Sequence, residues 1–459
     1  MTFGEYVGNL KGKRVAVVGA GVSNTPLIGA LLSAGVDTTV CDRRPRTELG
    51  EAADRFEGLG AALRLGEHYL DGLCADVIFR TPGLMPSEPG LMAAVARGAA
   101  LTSEMEAFFE VCPCKIIGVT GSDGKTTTTS IIGELLKKEG LTVHVGGNIG
   151  APLLCEADGM RPGDVAVLEL SSFQLMTMGK SPDIAVVTNL APNHLDKHKD
   201  MDEYVASKRN IFINQRRSDR AVFNFDNAYT REYATAAKGE ALFFSREGRV
   251  SDGVYLESGT IFEAKGGEGE AIMQAGEILI PGLHNVENYM AAFAVVRGLV
   301  GRDAMLGTAR SFRGVRHRIE LVRELRGVRF YNDSIASSPT RTSAGLRAFD
   351  EKVILIAGGK GKGVAFDELG AEIVSHVKKL VLTGLTAGQI REAVEKADGY
   401  AGAPEILVID DFKEAVLAAA RSAQEGDVVL LSPACTSFDR FRNFEERGDV
   451  FSEIIRGLN

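Results

Sequence analysis

Ile116-Ile117-Gly118-Val119-Thr120-Gly121-Ser122-Asp123-Gly124-Lys125-Thr126-Thr127 is the stretch that decides how this 459-residue chain reads. Its apolar start has the character of a buried strand, and Ile131, Ile132, Leu135 and Leu136 follow at helical spacing. A strand, a glycine turn and a helix start aim backbone N–H groups and the helix's positive end at an anion. Gly121 and Gly124 let the backbone approach phosphate oxygens with no Cβ in the way. Lys125 would reach the terminal phosphates and the Thr126 hydroxyl would meet Mg²⁺. The strict Walker motif wants glycine where Val119 stands, so a turn that only joins strand to helix is the alternative. Gly-Lys-Thr opening a helix after an apolar strand is nevertheless an uncommon coincidence, and phosphate binding is the working expectation.

Working outward, the chain is too long for one ordinary core, and two to four domains are expected. Hydrophobic residues at 45% and charged residues at 25% are those of a soluble globular protein. A net charge of −9 argues against non-specific nucleic-acid binding. No apolar run approaches the roughly 20 residues needed to span a bilayer. No signal-peptide pattern opens the chain. Six cysteines are scattered through it, and Cys112-Pro-Cys114 is the only close pair. The pair has neither CxxC spacing nor a second partner pair, so reduced, mostly structural cysteines in a cytoplasmic protein are expected.

The first segment opens with a strand, Arg14 to Val18, then Gly19-Ala-Gly21-Val-Ser23-Asn24 and a helix pattern from Pro26 to Leu32. A second strand, Thr38 to Cys41, ends in Asp42-Arg43-Arg44. This is the layout of a Rossmann-type nucleotide site. Asn24 replaces the third fingerprint glycine, which disfavours a dinucleotide; Asp42 would then accept hydrogen bonds from a base or a ribose. A βαβ unit without a ligand is the other reading. Thr81-Pro82-Gly83 follows a further strand at its C-terminal end. In the second segment, strands alternate with helical patterns, which predicts a mostly parallel sheet covered by helices. Gly248 to Gly276 reads as added hairpin strands, and Glu287 to Leu299 as a helix. A third α/β segment begins near Arg313, with strands around Val353, Leu380, Ile406 and Val428. Phe412, Val416 and Ala419 share one face of a helix capped by Asp410 or Asp411. Three α/β segments predict three domains, with ligands in the clefts.

Several polar turns carry chemistry. Glu169 ends an apolar strand in Glu169-Leu-Ser-Ser-Phe-Gln174, where phosphate-loop folds place a carboxylate for Mg²⁺. Asn193-His194-Leu-Asp196-Lys-His198 suggests either zinc or an imidazole that helps hold Mg²⁺ or orients a ligand. It lacks a cysteine pairing and the usual zinc spacing. Lys208, taken alone, reads as an ordinary solvated lysine. Arg318 and Asp333 bracket the strand Val328 to Tyr331 and suit phosphate and a ribose hydroxyl. Lys360, Lys362 and Ser432-Pro-Ala-Cys-Thr-Ser437 offer a cation and hydroxyls for a small anion.

Taken together, these motifs resemble the Mur ligase family, ATP-dependent amide-forming enzymes of peptidoglycan synthesis, over nearly the whole chain. Thr120 to Thr126 resembles that family's ATP loop. Glu169 to Leu175, Asn193 to Asp196, Asn332-Asp-Ser334, Leu431 to Asp439 and Phe441 to Glu445 resemble its D-glutamate-adding branch.

The resemblance implies an α/β fold of three domains: a Rossmann-like domain for the UDP substrate (1–112), a central P-loop ATPase-like domain (113–312) and a C-terminal Rossmann-like domain for the incoming amino acid (313–459). It implies ATP and Mg²⁺ as cofactors and UDP-N-acetylmuramoyl-L-alanine and D-glutamate as substrates, joined through an acyl phosphate in a cytoplasmic, monomeric enzyme. Gly121, Ser122, Asp123, Gly124, Lys125, Thr126, Thr127, Asn285, Asn288, Arg318 and Asp333 would bind ATP. Ser23, Asn24, Asp42, Arg43, Thr81 and Asn148 would bind the UDP substrate, and Ser337, Lys362, Ser437 and Phe444 D-glutamate. Thr126, Glu169, His194 and Lys208, the last as a carbamate, would hold the metal. Lys125, Lys208 and His194 would serve catalysis. Ile335 stands where relatives often carry lysine, and Asp123 replaces a common asparagine. A ligase of the same family with another amino-acid specificity, and a nucleotide-binding regulator that does not ligate, are the rival functions.

Overall fold

A computed structural model describes residues 1–194 and 197–459; Leu195 and Asp196 lie outside the described residues. The apolar runs found in the sequence become strands of three sheets. The first is fully parallel and comprises β1 (Arg14–Val18), β2 (Asp37–Asp42), β3 (Ala62–Leu65), β4 (Val77–Arg80) and β5 (Ala100–Thr102). Its order is β3-β2-β1-β4-β5, the Rossmann arrangement expected from the glycine turn after β1. The helix after β1 spans Asn24–Ser33 and turns Leu27, Ile28 and Leu31 into the core.

The second sheet has nine strands: β6 (Lys115–Thr120), β7 (Val143–Gly147), β8 (Val165–Glu169), β9 (Ile184–Val187), β10 (Arg220–Asn224), β11 (Glu240–Ser245), β12 (Gly253–Glu257), β13 (Thr260–Lys265) and β14 (Glu268–Gln274). They are ordered β14-β13-β12-β11-β10-β9-β6-β8-β7 and run parallel from β7 to β12. The hairpins expected between Gly248 and Gly276 are β12 to β14, paired antiparallel at the sheet's edge. Strand β6 lies between β8 and β9, so its C-terminal end is at a crossover reversal, where open α/β sheets bind ligands.

One continuous apolar core runs from Val17 and Phe79 of the first sheet through Phe108 and Leu154 to Leu168 and Val187 of the second. The helix Glu104–Val111 carries much of this junction; Ser103 caps it by accepting the Glu106 N–H, and Met105, Ala107 and Phe108 are buried. Both sheets therefore belong to one compact unit, Met1–Ala275 with Glu287–Thr308.

The other unit is Gly276–Val286 with Ala309–Asn459. Its sheet comprises β15 (Glu320–Leu325), β16 (Val328–Asn332), β17 (Val353–Ala357), β18 (Val377–Leu382), β19 (Glu405–Val408) and β20 (Val428–Leu431). The order is β15-β16-β20-β17-β18-β19, antiparallel only between β15 and β16. Alternate residues of β17 face opposite layers: Val353 and Leu355 pack with Leu369, Ile373 and Ile390, while Ile354 and Ile356 pack with Phe412, Val416, Phe451 and Ile455. The helix Phe412–Ser422 is capped by Asp411, not Asp410. The helix expected from Glu287 begins at Leu283, where Asn285 Nδ2 donates to Pro281 O (2.6 Å) and closes the entry turn.

Candidate functional site

The lysine loop is shaped by glycines and held from behind by the segment after β9. Gly121 (φ 149°) and Gly124 (φ 77°) both take positive φ, and a Cβ on either would overlap a neighbour, Thr188 Oγ1 or Asn288 Oδ1 respectively. Thr188 Oγ1 donates to Asp123 O (2.6 Å), and Asp123 N–H donates to Asn189 Oδ1 (2.9 Å). Ser122 Oγ donates to Ala191 O (2.9 Å) and meets the Tyr204 hydroxyl (2.9 Å). The loop delivers the chain into the helix Lys125–Lys138, whose N-terminus carries no side-chain cap. An uncapped, glycine-lined helix N-terminus offers N–H donors and positive potential to an anion. Thr127 is buried beneath the loop. Lys125 Nζ is folded back onto Gly121 O (2.9 Å) and Ser122 O (2.8 Å), so it must leave these carbonyls to reach a phosphate.

Two strand-end groups, Glu169 and Asn148, converge with Thr126 of this helix beside it. Thr126 Oγ1 donates to Glu169 Oε2 (2.6 Å), and Asn148 Nδ2 donates to Glu169 Oε1 (2.9 Å). Glu169 is buried, at the end of β8, and Asn148 follows β7. Lys208 is on the helix Met201–Ile213, whose N-cap is Asp200. Sequence alone favoured a solvated lysine there, and the structure corrects this: Lys208 is buried. It donates to Gly121 O (2.8 Å) and Thr120 Oγ1 (3.2 Å), and its ammonium lies over the Tyr204 ring. Burial first, and the nearby Lys125 charge second, push its pKa well below the ordinary lysine value. The helix turns it inward because Tyr204, Ile211 and Phe212 share its buried face.

His194 is exposed, with positive φ, and sets its ring edge-on to Phe173. His198 stacks on Phe173, is buried, and meets Ser172 Oγ through Nε2 (2.9 Å). Among the described residues no group of three or more His, Cys, Asp or Glu is disposed to hold a metal, and Asp196 of this motif lies outside them. Arg80, at the end of β4, is buried and joins this region to the first sheet. Its Nη2 donates to Phe173 O (2.9 Å) and Thr177 Oγ1 (3.3 Å), and its Nη1 to Pro82 O (3.0 Å) and Leu84 O (2.6 Å).

In the first sheet the candidate residues brace one another. Asn24 is buried and donates to Val18 O (3.2 Å) and Gly19 O (2.9 Å), so it pins the turn from which the third fingerprint glycine is missing. Asp42 accepts from Ala20 N–H (2.8 Å) and is paired with Arg44 (2.8 Å). Burial pushes its carboxyl up, but the hydrogen bonds from Arg44 and Ala20 outweigh it and hold it below the usual value. Arg43 is exposed, and its neighbour Arg44 makes the ion pair. Ser23 is the N-cap residue of the helix Asn24–Ser33 without a side-chain bond to it. Thr81 packs its side chain against Gly19, leaving no room there for a Cβ.

In the second unit, Asp333 follows β16, is buried, and accepts from Ser432 Oγ (2.8 Å). Burial pushes its carboxyl up to about 7 against the opposing Ser432 hydrogen bond and Arg318 charge. Lys362 Nζ donates to Ser337 Oγ (3.2 Å), bringing two candidate residues together. Ser437 is buried, and the Phe444 ring is edge-on to His317. Arg447 is buried on the helix Phe444–Arg456 and donates to Ser334 O (2.8 Å), Ser334 Oγ (3.0 Å) and Cys435 O (3.1 Å). It thereby ties the turn after β16 to the turn after β20. Of the predicted nucleotide residues, Asn288 belongs to the first unit, where it accepts from Thr128 Oγ1 (3.1 Å), and Asn285, Arg318 and Asp333 to the second.

Sequence reading passed over Arg44, Arg80, Tyr204 and Arg447. Thr188-Asn189 did carry a signal, being polar residues at a strand's C-terminal end. Arg80 and Arg447 carried none, since the partners that give them their bridging role, Phe173 and Thr177 for Arg80 and Ser334 for Arg447, are far away in sequence.

Fold and site define a multi-sheet α/β protein with a glycine–lysine–threonine loop at the C-terminal end of a parallel sheet. Residues 119–296 match the Mur ligase middle domain, and residues 317–435 the glutamate ligase domain of Mur ligases. The chain is 50% identical to the UDP-N-acetylmuramoylalanine–D-glutamate ligase of Acetivibrio thermocellus, over 99% of this chain and 98% of that protein. It is 48% identical to the enzyme of that name from Ruminiclostridium cellulolyticum, with the same coverage. The chain belongs to the Mur ligase family. Among solved structures, the UDP-N-acetylmuramate–alanine ligase of Thermotoga maritima shares the fold with a TM-score of 0.58 at 18% identity, over 97% of this chain and 99% of that one. A MurF ligase of Thermotoga maritima in complex with ADP aligns with a TM-score of 0.54 at 20% identity, over 89% and 92% of the two chains.

Proposed function

We propose that this protein is an ATP-dependent ligase that joins D-glutamate to the L-alanine carboxylate of UDP-N-acetylmuramoyl-L-alanine, releasing ADP and phosphate. The observation that carries the reading is the Lys125 loop with Thr126, Glu169 and Asn148 hydrogen-bonded at its mouth. The names of relatives 48–50% identical over nearly the full length support the D-glutamate specificity.

A carboxylate resists attack by an amine because its leaving group would be oxide. Phosphoryl transfer onto that carboxylate gives an acyl phosphate, which the D-glutamate amine attacks as phosphate leaves. Two anions must come together in the first step, so positive charge is needed at the loop. Residues 121–127 present N–H groups and Lys125 to the β- and γ-phosphates. The donor set fits a hard divalent cation: Thr126 Oγ1 and Glu169 would offer it oxygen atoms, the donors Mg²⁺ prefers. His194 and a carbamylated Lys208 would complete that set; the ion supplies charge neutralisation between the phosphates and the incoming carboxylate. The depressed pKa of Lys208 favours its neutral amine, the form that adds to carbon dioxide, and a carbamate N–H retains the bond to Gly121 O.

Ser23, Asn24, Asp42, Arg43, Thr81 and Asn148 are assigned to the UDP substrate. Arg318, Asp333, Asn285 and Asn288 are assigned to the nucleotide, and Ser337, Lys362, Ser437 and Phe444 to D-glutamate. The working partition is three domains, 1–112, 113–312 and 313–459, in a cytoplasmic monomer. No helix among the described residues is long and apolar enough to cross a membrane. The test is Lys125→Ala. Ligation is expected to disappear with the far-UV circular dichroism unchanged; ADP release that persists and still depends on D-glutamate would overturn the assignment.

A further inference from the structure

Cys112 and Cys114 flank Pro113 at the entry to β6, and their sulfurs are 3.4 Å apart. Cys112 is the C-cap of the helix Glu104–Val111 and is half-buried, while Cys114 is buried beneath it. The proline fixes its own φ between them, which narrows the backbone freedom of two thiols already in contact. We propose that Cys112 and Cys114 form a redox-active dithiol that small organic disulfides, of the oxidised glutathione class, convert reversibly to an intramolecular disulfide.

Closing an S–S bond of about 2.05 Å needs only a small approach of the two sulfurs. The chemistry of the two thiols is already differentiated. The hydrogen bond from the Cys112 thiol, and then the nearby His144, lower the Cys114 thiol to about 7. The same Cys114 partner raises the Cys112 thiol. His144 is on β7 and is held by Asp164 (2.9 Å). The small disulfide reaches the more accessible Cys112; as Cys112 Sγ attacks, its hydrogen-bonded Cys114 thiolate takes its proton and passes it to the departing small thiol, leaving a mixed disulfide on Cys112. The Cys114 thiolate then attacks Cys112 Sγ, expelling the second thiol. The two protein thiols are oxidised by loss of two electrons and two protons, and one small disulfide is reduced to two thiols. The pair is at the N-terminal end of β6, whereas the lysine loop follows its C-terminal end roughly 20 Å away at ~3.3 Å per residue. It is therefore separate from the ATP loop.

The test uses the full-length protein treated with oxidised glutathione near pH 7.5, quenched with acid, alkylated and digested with trypsin. Cleavage after Arg97 and Lys115 isolates both cysteines on one peptide with no other cysteine. That peptide is expected to lose two hydrogens and escape alkylation, to return to the reduced form with dithiothreitol, and to do so while the buried Cys41 and Cys435 remain alkylated. Cys114→Ser is expected to leave one glutathione stranded on Cys112. Cys112→Ser provides the second arm should that variant not fold: its Cys114 must remain alkylatable. A wild-type peptide alkylated at both positions, one that retains glutathione, or one linked to another cysteine overturns the proposal.

Discussion

Gly121→Ala perturbs the loop at the point where geometry is least forgiving. At φ 149° an alanine is held in a region that costs about 1–3 kcal/mol for a residue with a Cβ. The added methyl also overlaps Thr188 Oγ1, which must rotate away and surrender its one donated hydrogen bond, made to Asp123 O (2.6 Å) with Thr120 O (3.2 Å) competing for the same hydrogen. At about 1 kcal/mol for that hydrogen bond, the total is roughly 2–4 kcal/mol. The two contributions separate in a double-mutant cycle. In a Thr188→Ala background the hydroxyl and its hydrogen bond are already gone, so Gly121→Ala should cost only the backbone strain, about 1–3 kcal/mol. Urea unfolding followed by circular dichroism measures each corner of the cycle. A coupling of about 1 kcal/mol is expected. The same cost in both backgrounds would show that Thr188 does not shape the loop.

Other predictions concern charge and position. Lys208→Ala should lose nearly all ligation, and a small carboxylic acid such as formate should restore part of it; absence of rescue at any concentration counts against the carbamate. Arg80→Lys removes the two-armed hold on Phe173 O and the Pro82 turn, and should lower kcat/KM for the UDP substrate roughly tenfold with the KM for ATP unchanged. An equal rise in both KM values would refute that positioning role. For Asp333 the folded pKa, about 7, is above the ordinary 3.8, so the folded state holds its proton where the unfolded chain has released it. Its contribution to stability is thus complete below about pH 4 and is lost as pH rises to about 7. Asp333→Asn should flatten the pH dependence of the unfolding midpoint across that window, and an unchanged slope would show that Asp333 does not titrate there.

Much of this architecture was legible because it rests on local patterns. The apolar run before Gly121 and the spacing of Ile131, Ile132, Leu135 and Leu136 fixed a strand, a turn and a helix, and the run ending in Glu169 fixed the neighbouring strand. The loop's glycines were readable because a positive φ leaves few residue choices. Lys208 was legible only in part: Tyr204, Ile211 and Phe212 at helical spacing put it on the buried face, but its acceptors Thr120 and Gly121 are distant in sequence. Asp42 and Asn24 looked like free ligand donors, yet the turn after β1 uses both, since its carbonyls and the Ala20 N–H need partners once buried. Arg80 and Arg447 were silent because part of each hold comes from a remote turn, Phe173 O for Arg80 and Ser334 O for Arg447.

Phosphate release from ATP, measured with UDP-N-acetylmuramoyl-L-alanine against a panel of L- and D-amino acids, tests the central claim most directly. Release should require the UDP substrate and D-glutamate together and should match amide formation one for one. Hydrolysis indifferent to the amino acid, or preference for a different one, would contradict it.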